Sequence, residues 1–160
     1  MAEAPGLELT AVVDPDPKAR RYVEATPGYK VLEEALEAVE CDAVLVASPP
    51  GTHHVVAKAA LEAGRHVLCE KPLATSLEDA FDLVRAADRA ERILMVSQNY
   101  RYNAPFRAVQ RLVAKGELGG LASIRISCRR DTRTLFALTI SGTPCATLTS
   151  STCLFTTSIS

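Results

Sequence analysis

Four continuous apolar runs constrain this chain more than any other feature. Leu7–Val13 (LELTAVV) ends at Asp14, and Asp42–Ala47 (DAVLVA) ends at Ser48-Pro49-Pro50-Gly51. His66–Cys69 (HVLC) ends at Glu70-Lys71-Pro72, and Ile93–Val96 (ILMV) is the fourth. A strand with one wet face alternates apolar and polar residues; a parallel strand covered on both faces does not. The runs therefore predict parallel strands.

Helical patterns fill the intervals. Leu77, Ala80, Phe81, Val84 and Ala87 fall on one face of a helix, and Ser76 with Asp79 supplies a capping-box-like start. Asp14-Pro15 places an N-cap residue before a proline at the first helical position, which predicts a helix over Pro15–Ala25. Val55, Val56, Ala59, Ala60 and Ala63 form a second stripe closed by Gly64, and Phe106, Val109 and Val113 a third closed by Gly116. Strands alternating with helices predict an α/β fold with a doubly wound parallel sheet. Ala122–Arg129 reads differently. Its apolar and polar residues alternate, which predicts a half-wet strand opening a second, antiparallel sheet beyond a boundary near Gly116–Gly120.

Charge narrows the function classes. A net charge of −1 argues against nucleic acid or an anionic membrane as the main partner. The apolar runs fall far short of the ~20 residues that span a bilayer, and Met1–Gly6 shows no secretory pattern. Cysteines at 41, 69, 128, 145 and 153 form no CxxC pair, so neither a disulfide framework nor a metal site is expected, and a cytoplasmic setting is. The charges are unevenly spread: all 18 basic and 19 acidic residues lie between Glu3 and Arg133. From Thr134 to Ser160 there are none, and 13 of these 27 residues are Ser or Thr.

Ligands of open α/β sheets bind beyond the carboxyl ends of the strands. Asp14 at such an end suits an adenosine ribose, favouring NAD over NADP, or serves as an N-cap, or both. Arg20 and Arg21 nearby keep NADP open. The turn Ser48-Pro49-Pro50-Gly51-Thr52-His53 brings backbone against a ligand with His53 facing the cleft, or is a plain loop with exposed histidines. His54 and His66 are read as the latter. Lys71 at a strand end can exchange protons with a substrate hydroxyl, although Glu-Lys-Pro alone is a weak signal. In Gln98-Asn99-Tyr100-Arg101-Tyr102, Arg101 could hold an anionic or polyol group, or the segment is a surface turn.

Asp42–Lys71 followed by Pro72-Leu73-Ala74 resembles the Gfo/Idh/MocA family, the relatives of glucose–fructose oxidoreductase and inositol dehydrogenase. The spacing from Pro49 to His53, then Gly64, then Glu70-Lys71-Pro72, carries the resemblance, and Asn99–Pro105 and Lys115–Gly119 extend it over residues 7 to about 130. The resemblance implies NAD(P)-dependent hydride transfer on sugar- or polyol-type alcohols or aldehydes. It implies that Asp14 binds the ribose, that Ser48, Pro49 and His53 flank the cofactor, and that Glu70 neighbours the nicotinamide. It implies that Lys71 moves the proton, and that full-length members are homo-oligomers.

The pattern departs from the family at both ends. The family's first strand and Gly-rich phosphate loop precede the match to Leu7, and nothing after Arg133 matches its second domain. The expectation is a partial dinucleotide-binding domain (1–118) lacking its first, central strand, the start of a substrate domain (119–133), and an aberrant or disordered tail (134–160). The tail is read as the product of a shifted frame or as a low-complexity stalk, with Leu135–Ile140 an aggregation liability. Such a chain is expected to be inactive alone. A truncated non-catalytic fragment and a ligand-binding scaffold stand as alternatives.

Overall fold

The computed structural model describes residues 6–20, 26–127 and the backbone of 152–157. The end of the expected first helix, Cys128–Arg133 and the tail up to residue 151 lie outside the described residues. The chain divides into two compact units, one of Met1–Ser97 with Thr149–Ser160 and one of Gln98–Leu148.

The first unit runs β1 (Leu7–Val13), α1 (Pro17–Arg20), β2 (Gly28–Tyr29), α2 (Leu32–Ala38), β3 (Ala43–Val46), α3 (His53–Glu62), β4 (His66–Cys69), α4 (Leu77–Ala90) and β5 (Leu94–Val96). A last strand, β6 (Thr152–Thr157), joins it. The six strands lie in the order β2-β1-β6-β3-β4-β5. β1 with β2, β3 with β4 and β4 with β5 pair in parallel, as the apolar runs predict. β6 alone runs antiparallel, pairing with β1 on one side and β3 on the other. The slot expected to stand empty beside β1 is thus filled by six residues of the uncharged tail.

Burial follows the pleat. In β3 the pattern brings Val44 and Val46 into the core, and in β4 Val67 and Cys69. Leu68 and Met95 stay 36 % and 42 % exposed, so the second face of these strands is not covered as the continuous runs predict. Composition alone cannot separate a two-sided burial from a β-branched strand packed on one side. One core cluster joins Ala11 and Val13 of β1, Leu32 and Ala35 of α2, Ala57, Ala60 and Leu61 of α3, and Leu83, Ala86 and Ala87 of α4.

The helix ends obey local chemistry. Ser76 Oγ accepts from Asp79 N at 3.0 Å, as expected of the start of α4. Gly64 takes φ +74° past the end of α3, a left-handed turn that a side chain would strain. The start of α1 corrects the expected Asp14-Pro15 cap. Asp16 Oδ1 accepts from Lys18 N at 2.8 Å and Pro17 is the first helical residue, because Asp14 Oδ1 is already turned to Asp16 N at 2.7 Å. Two consecutive Asp-Pro pairs offer the same signal, and the helix opens at the second.

The second unit holds a short 3-10 turn, Asn99–Tyr102, and α5 (Ala104–Ala114), whose end reaches Gly116 at φ +71°. Phe106, Val109 and Val113 of α5 line a groove of about 720 Å³ with Leu121, Ile124 and Ile126. The alternating segment expected as a strand forms none between Ala122 and Ser127. No partner strand lies beside it among the described residues, and an extended segment without a ladder is not a strand.

Candidate nucleotide-binding site

The carboxyl ends of β1 and β3 meet the same residue of β6. Val13 and Val46 both pair with Thr152, so Asp14 and the Ser48 turn emerge at one end of the sheet. β3 and β4 are in register from Ala43–His66 to Val46–Cys69, which brings Glu70 and Lys71 to that end as well. Strand register alone thus gathers Asp14, Ser48, Pro49, Glu70 and Lys71, drawn from 58 positions of sequence.

A cleft of about 430 Å³ opens there. Val13 lines it from the end of β1 and Pro15 from just beyond, Val31 and Leu32 from the start of α2, and Ser48, Pro49, Thr52, Val55 and Val56 from the turn and α3. This size and apolar lining suit a planar heterocycle with a sugar attached. Asp14, between Val13 and Pro15, is 5 % exposed, and its backbone is fixed by Asp14 N donating to Tyr29 O at 3.0 Å. Arg20 donates from its guanidinium to the Asp14 carbonyl oxygen. Lys30 and Glu33 also line the cleft. These two and Val31 escape the sequence reading, because β2 is only two residues long and has no run to reveal it.

The turn at Ser48 is internally braced. Thr52 Oγ1 lies 2.7 Å from Ser48 Oγ and 2.8 Å from Pro49 O, and Thr52 N donates to Pro49 O at 2.8 Å. Pro50–Thr52 form a 3-10 turn, with His53 the first residue of α3. His53 does not face the cleft as expected. It is 1 % exposed, its Nδ1 lies 2.7 Å from Pro72 O and its Nε2 2.6 Å from Ser48 O. His54 and His66 are likewise engaged rather than free. His54 Nε2 lies 2.9 Å from Asp82 Oδ2, and His66 Nδ1 accepts from Ile93 N at 2.9 Å.

Glu70 is half-buried, and its Oε2 accepts from Lys71 N at 3.2 Å. Lys71 is exposed and joined to Pro72 by a cis peptide bond. Cys69 is buried, and desolvation with the Glu70 charge pushes its thiol up to about 11. It is therefore no nucleophile at neutral pH. In the second unit, Arg101 is exposed with its guanidinium 5.7 Å from the Tyr102 ring centre. With Gln98, Tyr100, Tyr102, Phe106 and Arg107 it lines a cavity of about 520 Å³. Among the described residues no cluster of three metal-ligating side chains occurs, and no helix is long and apolar enough to cross a membrane.

Comparisons with known proteins agree on one kinship. The family model described as the GFO_IDH_MocA oxidoreductase family, NAD-binding Rossmann fold, matches residues 1–98. Inositol 2-dehydrogenase 3 of Saccharopolyspora erythraea is 37% identical over 118 residues, covering 71% of this chain and 35% of that protein. The dTDP-3,4-didehydro-2,6-dideoxy-alpha-D-glucose 3-reductase of Saccharopolyspora spinosa is 38% identical over 127 residues, covering 76% and 37%. Among solved structures, the WlbA dehydrogenase of Bordetella pertussis, in complex with NADH and UDP-GlcNAcA, is similar at TM-score 0.66 and 35% identity, over 70% of this chain and 33% of that one. The chain spans about a third of the length of these relatives. With the parallel sheet and the cleft at its carboxyl end, the match over residues 1–98 establishes that the chain belongs to the Gfo/Idh/MocA oxidoreductase family and carries its NAD-binding Rossmann fold.

Proposed function

We propose that the chain is the nucleotide-binding part of an NAD(P)-dependent oxidoreductase of sugar- or polyol-type alcohols and aldehydes. One observation carries the reading: the apolar cleft lies where β1 and β3 end, with Asp14 at its edge and the Lys71 loop on the neighbouring strand. The residues present fit the adenosine half of a dinucleotide. Val31, Leu32, Val55 and Val56 offer an apolar slot for the base, and Asp14 at the edge of the cleft accepts the ribose hydroxyls, which favours NAD. Ser48 and Pro49 wall the cleft, and Glu70 holds the backbone of the residue that follows it. When bound, the nicotinamide supplies or takes the hydride. Lys71 Nζ, on an exposed side chain beyond the β4 end, gives or takes the proton of the substrate oxygen. Arg101, in its aromatic-lined cavity, holds a substrate hydroxyl or carboxylate. The relatives that act on inositol and on a deoxysugar support this substrate class.

The same reading has the chain alone turn over little. β6 runs antiparallel, so it brings its amino end, Thr152, to the cleft between β1 and β3. The pyrophosphate of a dinucleotide rests on a helix that follows the carboxyl end of a strand in that central place. Calorimetry with AMP, NADH and NADPH, and absorbance at the nicotinamide band with NAD and myo-inositol, test both parts. The expected result is saturable binding of AMP and NADH and negligible NAD reduction. Absence of any adenosine-nucleotide binding contradicts the first part, and robust NAD reduction contradicts the second.

A further inference from the structure

We propose that His53 is a positioning residue, a two-ended clamp that holds the Lys71-Pro72 loop against the turn walling the nucleotide cleft. Its purpose rests on the oxidoreductase reading; its existence rests on geometry alone. The ring is 1 % exposed and reaches Ser48 O with one nitrogen and Pro72 O with the other, at 2.6 and 2.7 Å. A carbonyl oxygen only accepts, so each contact is made by a ring N–H that donates. The ring itself is shut away from water, so losing it removes a donor at its site from both carbonyls.

The loop has few other holds. On its strand side, Glu70 N donates to Val46 O at 2.8 Å and Ser97 N to Cys69 O at 2.8 Å. On its far side, Cys69 Sγ makes a weak contact with Leu73 O at 3.9 Å, and the Leu73 side chain packs against the core. Lys71 therefore sits between a backbone amide fixed on β3 and a carbonyl fixed on His53. At its other end the ring holds Ser48, whose side chain and turn line the cleft. A nucleotide pressing on the Ser48 turn is felt at Lys71 through this one ring.

Three variants of the full chain, H53N, H53Q and H53A, separate the two ends. The amide of Asn reaches about as far as Nδ1, and that of Gln about as far as Nε2. Folding is checked by far-UV circular dichroism. Amide exchange is read by NMR at Lys71 and Leu73, and at Gly51 and Thr52. A reductively 13C-methylated Lys71, assigned with K71R, is followed with and without NADH. H53N is expected to keep Lys71 and Leu73 within about twofold of wild type while Gly51 and Thr52 exchange about tenfold faster, as for ~1.4 kcal/mol of one lost hydrogen bond. H53Q is expected to do the reverse and to abolish the response of the Lys71 methyl signal to NADH. Exchange unchanged in both variants, or raised equally at both ends in both, overturns the clamp. If H53A fails to fold, the H53N–H53Q contrast still decides. A wild-type chain whose Ser48 turn and Lys71 signal both ignore NADH contradicts the oxidoreductase reading instead, and leaves the exchange contrast to judge the clamp.

Discussion

Asp82 carries two ties between α3 and α4. Its Oδ2 lies 2.7 Å from Lys58 Nζ and 2.9 Å from His54 Nε2, and the Lys58 hydrogen bond, then that of His54, holds the carboxyl down to about 2. The unfolded value is near 4. A carboxyl lowered on folding stabilises fully above its unfolded value and loses that contribution as pH falls through its folded one. The stability gap between wild type and D82N, read from urea melts, is therefore expected to be level near pH 6 and to close between about 4 and about 2. At the cleft, Asp14→Ala is expected to weaken NADH about tenfold, the loss of a charged hydrogen-bond acceptor worth ~1.4 kcal/mol or more, and to weaken NADPH less, as fluorescence titration would show. Asp14, Ser48, Pro49, Glu70 and Lys71 were legible because each ends an apolar run. The role of His53 was not, since the sequence cannot say that Ser48 and Pro72 present carbonyls to one ring.

At the scale of elements, β1 and β4 match their runs residue for residue, and α4 starts at its expected cap. β2 is too short to show a pattern, and α2 has Val31 rather than a capping side chain before it. The packed face of α4 departs from the predicted stripe: Leu77, Phe81 and Val84 are exposed, while Leu83, Ala86 and Ala87 lie in the core cluster, with Leu83 fully buried. Leu83→Ala is expected to cost about 3 to 5 kcal/mol in chemical denaturation. β6 is the element least visible beforehand. A charge-free Ser/Thr-rich segment carries no sign of which edges it will join, because pairing with both β1 and β3 is set by distant partners. Leu154 pairs with Ala11 on one side and Val44 on the other. Leu154→Pro removes a ladder amide from a central strand, so a loss of about 3 kcal/mol or more is expected. An unchanged melting temperature would show that the tail contributes no strand.

For the whole molecule, the sheet order explains how the candidate cleft forms at one end of the strands. β1 and β3 reach it with their carboxyl ends aligned, and β6 bridges the gap between them. The family was legible in the spacing of Pro49, His53, Gly64 and Glu70-Lys71-Pro72. The way the sheet closes was not, because the bridging strand comes from the opposite end of the chain. The proposed function requires that this cleft hold the adenosine half of NAD. Titration of the 15N-labelled full chain with NADH, followed by two-dimensional NMR, tests this most directly. Saturable shifts are expected at Asp14, Val31, Leu32, Ser48, Gly51 and Thr52, reproduced by AMP. Shifts scattered over α4 and α5 with none at these residues would contradict it.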